Sequence, residues 1–320
     1  MLITIALLII GLLLVIFGAD WLVDGASAIA RKLKISEFVI GLTIVGFGTS
    51  CPELVVSVTG AVSGLSDISI GNVIGSNIFN TFLILGLTAL IMPIAITRSN
   101  KRRDIPVTLL VTFLLVFCGM SKTLFGIGRE DGLSRVEGIV FLALFAIYIY
   151  TCFKNDEGVS GDAETPSKDL SLAAAVLLTL AGLAGLILGG HWFVDSAVKV
   201  AHRLGVSDKF IAITLLAGGT SLPELAACTV AAIKKKGQLA LGNILGSNIF
   251  NILLILGVSA TIRPISFLNI NLIDVLAMLA SMIMVWLSSY TFRKDKIDRW
   301  EGAIFLSAFA AYYVWLFTNL

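Results

Sequence analysis

Long apolar stretches separated by short charged ones dominate this chain. Segments almost free of charge run over residues 2–30, 38–65, 68–97, 105–121 and 136–153, then 170–200, 210–233, 239–262, 270–292 and 300–317. Each is near or above the roughly 20 residues that a helix needs to cross about 30 Å of hydrocarbon. The pattern predicts an all-α integral membrane protein of ten transmembrane helices. Most connections are short, and residues 154–169, rich in Asp, Glu, Gly and Ser, read as the one flexible linker, cytoplasmic in the orientation derived below. The expected organisation is a first five-helix repeat over 1–153, the linker 154–169 and a second five-helix repeat over 170–320. The apolar run at 2–19 has no basic residue ahead of it and no small-residue cleavage pattern, so it is expected as a retained first span.

The two sets of five repeat one another. A constant offset of 171 aligns them without a gap: Gly11 falls on Gly182, Trp21 on Trp192, Asp24 on Asp195, Thr43 on Thr214 and Pro93 on Pro264. Between Gly71–Gly86 and Gly242–Gly257, 12 of 16 positions are identical, which marks a duplication. Because five is odd, the second copy must cross the membrane in the opposite sense to the first. That is the inverted-repeat plan of secondary transporters. If the N-terminus is outside, the inner connections collect 16 of the 23 Lys and Arg residues, so both termini are predicted to be extracellular or periplasmic.

Composition agrees with this reading and removes other classes. The chain is 57% hydrophobic and 14% charged, with a mean hydropathy of +0.97. A formal charge of +2 leaves no basic surface for nucleic acid, and the lipid bilayer is the expected environment, with no obligatory protein partner indicated. Cys51, Cys118, Cys152 and Cys228 lack metal-ligand spacing and read as small hydrophobes. No cofactor is implied.

Charges in mid-span cost at least about 2.5–3.5 kcal/mol each, so those that persist mark candidate sites. Glu53 and Glu224 occupy equivalent places in spans two and seven, within Gly48-Thr49-Ser50-Cys51-Pro52-Glu53 and Gly219-Thr220-Ser221-Leu222-Pro223-Glu224. Both are expected near the midplane. A proline inside a helix releases the carbonyl four residues earlier, here those of Gly48 and Gly219, and Gly46 and Gly218 ease unwinding nearby. Helices 2 and 7 are therefore predicted to be broken at an ion site. Carbonyls, the Thr49 and Thr220 hydroxyls and two carboxylates make an all-oxygen cage suited to hard cations such as Ca²⁺ and Na⁺. Spans three and eight add Gly71-Asn72-x-x-Gly75-Ser76-Asn77-x-x-Asn80 and Gly242-Asn243-x-x-Gly246-Ser247-Asn248-x-x-Asn251. Spacing by four aligns Asn72, Ser76 and Asn80 on one helix face and Asn243, Ser247 and Asn251 on another, while the glycines would admit a neighbouring backbone.

These motifs resemble the paired alpha repeats of the cation/calcium antiporter superfamily, in its sodium/calcium exchanger branch of prokaryotic type, and the likeness covers essentially the whole chain. The resemblance implies that Glu53 and Glu224 are ligands shared by Ca²⁺ and Na⁺. It implies that Thr49 and Thr220 supply oxygens to the Ca²⁺ site and that Gly46 and Ala217 supply backbone oxygens to flanking Na⁺ sites. Ser50, Ser76, Ser221 and Ser247 would be Na⁺ ligands, with Asn80 and Asn251 completing the centre. Some members, including potassium-dependent ones, carry an aspartate where this chain has Asn251, which argues against potassium co-transport. The proton-coupled branch typically shows a GNxxE signature that the GTSxPE segments do not match. The short central connection leaves no room for the regulatory loop of eukaryotic exchangers.

The function expected is secondary active antiport of several Na⁺ for Ca²⁺ by alternating access, electrogenic if the Na⁺ charge exceeds that of Ca²⁺. A Ca²⁺/H⁺ or K⁺-dependent Na⁺/Ca²⁺ antiporter is the alternative, and a passive cation channel the next. An intramembrane hydrolase using Ser50 or Cys51 would need a base at depth, yet His191 and His202 lie at or near the ends of span six, so no enzyme is expected. Gly11, Gly18 and Gly25, echoed by Gly182 and Gly189, predict close packing of spans one and six, or a smooth pair that slides. Asp20, Asp24, Asp195 and Asp274 lie toward span ends and are expected to form interfacial pairs or to reach water.

Overall fold

A computed structural model describes residues 2–126, 128, 130–156, 158, 170–205, 218–268, 270–291 and 295–319. Helix is present within every one of the ten apolar stretches: α1 (Leu2–Leu33), α2 (Glu37–Thr49) continued by α3 (Cys51–Ser63), α4 (Ser66–Ile91), α5 (Ile105–Gly119) with the short α6 (Ser121–Phe125), α7 (Arg135–Lys154), α8 (Leu172–Arg203), α9 (Leu222–Ile233), α10 (Gly237–Ile262), α11 (Leu272–Ser288) and α12 (Arg299–Asn319). Among the described residues α1, α4, α7, α8, α10 and α12 are each long and apolar enough to cross a membrane, and α2 with α3 adds a seventh if they form one span. The linker at 154–169 and the first part of span seven fall largely outside the described residues.

The helix starts follow ordinary capping chemistry. Ser134 and Glu137 form a reciprocal box at α7, with the Ser134 N–H donating to Glu137 Oε2 at 2.7 Å and the Glu137 N–H to Ser134 Oγ at 3.3 Å. Asn271 accepts from the Ile273 N–H at 2.9 Å to open α11, and Ser171 accepts from the Ala174 N–H at 3.2 Å to open α8.

The chain folds into two compact units, each drawing on both halves of the repeat. One comprises residues up to Pro52 and Asp156–Asn243, and the other Glu53–Asn155 and Ile244–Leu320. In the first, α1 and α8 run side by side with glycine against backbone. A Cβ at Gly11 would stand 2.8 Å from Gly189 O, one at Gly18 2.9 Å from Gly182 O, and one at Gly25 2.8 Å from Ala175 O. The order 11, 18, 25 meets 189, 182, 175, so the two helices are antiparallel. They are equivalent by the repeat, and opposed directions are what an odd number of crossings per copy demands. Gly242 of α10 packs on the Phe38 backbone of α2 in the same manner. At Gly71 and Gly75, by contrast, nothing among the described residues lies within 4 Å of an added Cβ, whereas the close approach expected at these motifs is met at Gly242.

The second unit repeats one contact twice. Gly86 of α4 meets the Gly302 backbone of α12, and its counterpart Gly257 of α10 meets the Gly138 backbone of α7, with added Cβ to carbonyl distances of 3.1 and 3.2 Å. Two-residue antiparallel ladders close the helix ends: β1 (Ile94–Ala95) with β4 (Lys296–Ile297), and β2 (Gly132–Leu133) with β3 (Ile265–Ser266).

The α1–α8 contact leaves no room for side chains. Gly182→Leu, whose Cβ alone would lie 2.7 Å from Gly18 O, is expected to lower stability by at least about 1–3 kcal/mol through overpacking. Gly190→Ala, where an added Cβ makes an ordinary contact at 3.9 Å from Pro223 Cγ and the repeat counterpart is Ala19, should be neutral or gain up to about 1 kcal/mol in helix propensity. Thermal unfolding of the purified protein in detergent checks both, and equal midpoints for the two variants would refute the packing account.

Candidate functional site

Both glutamates stand in the first turn of a helix. In the first copy α2 ends at Thr49, Ser50 adopts φ −83°, ψ 6°, and α3 begins at Cys51. In the second copy Ser221 adopts φ −87°, ψ 8° just before α9. The two serines are equivalent by the repeat and their backbones agree within a few degrees. Pro52 and Pro223 thus fall at the second position of a new helix, where a missing N–H costs nothing. In the first copy the proline, expected inside a helix, stands instead at the start of one, with the break at Ser50. In the second copy residues 218–221 form a turn, as expected near Gly218 and Gly219, within which the Gly219 carbonyl accepts the Leu222 N–H at 3.4 Å. A helix start has a positive end, so Glu53 and Glu224 each lie where the backbone favours negative charge.

In the first unit Thr49, Ser50, Ser221, Glu224 and Asn243 are all buried. The Ser50 hydroxyl donates to Glu224 Oε1 at 2.9 Å. The other oxygen, Glu224 Oε2, is buried with no hydrogen-bond partner among the described residues. Thr49 Oγ1 lies 3.0 Å from Val45 O and 3.2 Å from Asn243 Oδ1. The Gly46 carbonyl accepts the Ser50 N–H at 3.1 Å. Thr220 is half-buried in the turn preceding Ser221. Ala217 lies outside the described residues.

The second unit gathers Glu53, Ser76, Asn80, Ser247 and Asn251, all buried. Here α4 and α10 each widen into a π-type turn at equivalent places, Phe79–Ile84 and Phe250–Ile255. Such turns recur at functional sites. They carry Asn80 and Asn251, whose amides cross between the copies: Asn80 Nδ2 donates to Asn248 Oδ1 at 3.3 Å, and Asn251 Nδ2 donates to Asn77 Oδ1 at 3.1 Å. Asn248 Nδ2 in turn donates to Thr81 Oγ1 at 2.9 Å. With their NH₂ groups committed, Asn80 and Asn251 present their Oδ1 atoms elsewhere, and both oxygens are buried with no donor among the described residues. Ser76 Oγ is in the same position. Asn72 fastens α4 to α3, donating to Glu53 O at 3.2 Å and Ser57 Oγ at 2.9 Å. In the first unit its counterpart Asn243 donates to Cys228 Sγ at 3.2 Å, and Cys228 is the counterpart of Ser57.

Buried carboxylate, amide and hydroxyl oxygens without donors are costly unless something electropositive meets them. A set made only of oxygens suits a hard cation. Asn77 and Asn248 are the residues that the sequence reading missed. Spacing by four picks out positions 72, 76 and 80, whereas the signal for 77 and 248 was their identity within the duplicated motif. A second omission is Asp104, wholly buried and reached by Arg103 Nε at 2.8 Å, Asn100 Nδ2 at 3.3 Å and Tyr148 OH at 3.5 Å. Asp20, Asp24 and Asp195 pair as expected, Asp20 and Asp24 each 2.6 Å from Lys234 Nζ and Asp195 2.6 Å from Lys199 Nζ, whereas Asp274, expected to reach water, is half-buried and accepts from Tyr312 OH at 2.8 Å.

The family model for sodium/calcium exchanger protein matches residues 3–154 and 174–318. A putative antiporter CaxA of Alkalimonas amylolytica is 39% identical over the whole of both chains. The sodium/calcium exchanger MaX1 of Methanosarcina acetivorans is 32% identical over 97% of each chain. The solved structure of the sodium-calcium exchanger NCX_Mj, soaked with 10 mM Na⁺ and zero Ca²⁺, superposes with a TM-score of 0.85 at 34% identity, covering 98% of each chain.

The crossed amides make a quantitative expectation. Asn248→Ala strands the buried Asn80 amide and should cost about 1–3 kcal/mol. A double-mutant cycle with Asn80→Ala, read by unfolding in detergent, should return a coupling of about 0.5–3 kcal/mol. Strict additivity of the two substitutions would mean that the amides do not hold one another.

Proposed function

The chain belongs to the sodium/calcium exchanger family of multi-pass membrane antiporters, and on that premise we propose that it exchanges several Na⁺ for Ca²⁺ at a centre built on Glu53 and Glu224. The observation that carries this reading is the set of buried oxygens without donors, Glu224 Oε2, Ser76 Oγ, Asn80 Oδ1 and Asn251 Oδ1. Acceptors of this kind are what a hard cation requires. Thr49, Thr220, Ser50, Ser221 and Ser247, with backbone oxygens at Gly46 and Ala217, complete the proposed ligand set. Asn80 and Asn251 are neutral, so the two glutamates supply the whole fixed charge of the centre.

Charge then sets the coupling. Two carboxylates balance one Ca²⁺, whereas three Na⁺ leave one positive charge. An empty centre strands both carboxylates in a poor solvent, at several kcal/mol per ion, which discourages movement of the unloaded carrier and enforces exchange. Inner-face crowding of Lys and Arg supports an orientation with both termini outside.

The test is Ca²⁺ uptake into proteoliposomes loaded with Na⁺ and diluted into Na⁺-free buffer. Uptake should require internal Na⁺ and should fall by about two orders of magnitude or more in Glu224→Gln, where a buried charge balance is broken. If a net charge moves, an imposed potential should bias uptake by about 2.3 kcal/mol per charge per 100 mV. Uptake driven by a pH gradient, or requiring potassium, would replace this reading with proton- or potassium-coupled antiport. Uptake without any driving gradient would make the protein a channel.

A further inference from the structure

Four basic residues follow α4 within six positions: Arg98, Lys101, Arg102 and Arg103. Topology requires only their charge, yet the fold sorts them into different roles. Arg103 turns inward to the buried Asp104. Lys101 Nζ lies 4.3 Å from the centroid of the Tyr290 ring and 3.4 Å from Asp295 Oδ1. Arg98 and Arg102 make no hydrogen bond or ion pair among the described residues. With Lys101, Ile96, Tyr290 and Asp295 they line a cavity of about 690 Å³ in the second unit. Three cations therefore face one carboxylate, and that carboxylate is itself 67% exposed.

The approach to this cavity is aromatic and apolar. Trp286 and Tyr290, on and just beyond the last turn of α11, make an edge-to-face pair with ring centroids 5.5 Å apart. They are 37% and 53% exposed, and Leu287 between them is 46% exposed. Exposed Trp and Tyr at the end of an apolar helix mark the headgroup level of a bilayer. A strip that a hydrocarbon chain can cover thus ends at two guanidinium groups without anionic partners.

We propose that this cavity binds the phosphate group of an anionic membrane lipid. Arg98 and Arg102 donate to the phosphate oxygens, which the planar guanidinium fork matches. Lys101 adds charge from its position over Tyr290, and Trp286 and Leu287 receive the start of an acyl chain. A basic pocket among helix ends on the cytoplasmic side is the ordinary form of such a site. That the lipid belongs to the inner leaflet rests on the orientation proposed above, whereas the site itself does not. Its occupant would join the chain leaving α4, the helix of Ser76 and Asn80, to the end of α11. From α11, Met278 Sδ and Met282 Sδ accept from Asn77 and Thr81 at 3.8 and 3.9 Å. A bound lipid would therefore brace the helices that hold the crossed amides.

The test uses the purified full-length protein, stripped of lipid in detergent and titrated with dioleoyl phosphatidylglycerol or dioleoyl phosphatidylcholine. Bound lipid is counted by native mass spectrometry. Phosphatidylglycerol should bind in preference to phosphatidylcholine, and the double variant Arg98→Gln/Arg102→Gln should bind it roughly tenfold more weakly, with an unchanged unfolding midpoint in the absence of lipid. Displacement of phosphatidylglycerol from the wild type by inorganic phosphate would support the anion site and identify free phosphate as a second source. Equal retention of the two lipids by the wild type, or undiminished binding by the variant, would overturn the proposal. The comparison of two lipids on the wild type needs no substitution, so it decides even if the variant does not fold. Lipid retention is read without ion flux, so its outcome is separate from that of the antiport reading.

Discussion

An oxygen atom shut away from water with no donor to meet it is among the more expensive features a fold can keep, at about 1–3 kcal/mol for a neutral group and more for a charged one. This chain keeps several within its apolar helices, and much of its architecture can be understood as the means of holding them. Asn80 and Asn251 could each rotate an amide to hide the oxygen. They do not, because the NH₂ side is taken by Asn248 and Asn77. Ser50 satisfies one oxygen of Glu224 and leaves the other. The result is a set of acceptors whose orientation is fixed by the protein's own hydrogen bonds, the preorganisation that the proposed binding would use.

Duplication explains why these devices come in pairs, and divergence shows which parts are constrained. The serine breaks, the proline–glutamate pairs, the π-type turns and the crossed amides are kept in both copies. The supports behind them are not. Thr81, which receives the amide of Asn248, corresponds to Ile252, and Ser57, which receives Asn72, corresponds to Cys228. A methionine sulfur backs both asparagines, Met278 behind Asn77 and Met282 behind Asn248, but only Asn248 has the threonine as well. The two copies are thus similar in their buried oxygens and partly different in what braces those oxygens.

Most of the fold was legible in the sequence because hydrocarbon imposes long, nearly uncharged runs, and because the 171-residue offset is free of gaps where it matters. The antiparallel sense of α1 and α8 follows from counting crossings, and Gly11, Gly18 and Gly25 announced their packing. The glutamates were legible too, as charges out of place. What could not be read was how a polar side chain spends its hydrogen-bonding capacity. Helical spacing assigns Asn80 to a face and says nothing of which end of its amide is occupied. Asn77 and Asn248 lie off the spacing-by-four row and so escaped notice, although they contact that row directly. Asp104 was hidden for a different reason, since it closes a run of basic residues and looks like one more surface charge.

The first helix break was foreseen at Gly48 and lies two residues on, at Ser50, and the reason is physical. Ser50-Cys51-Pro52-Glu53 and Ser221-Leu222-Pro223-Glu224 both have the form of a capping box, with serine before the first turn and glutamate three residues later. A proline read as a flaw within a helix is, in that pattern, a residue suited to the start of a new one. At α9 the box is not closed, since the Ser221 side chain makes no capping bond to the helix it precedes. In the first copy the Ser50 hydroxyl reaches the glutamate of the other copy. A serine placed where a cap would stabilise its own helix, and not used so at Ser221, departs from a local rule, and such departures are expected where a side chain is held for another contact.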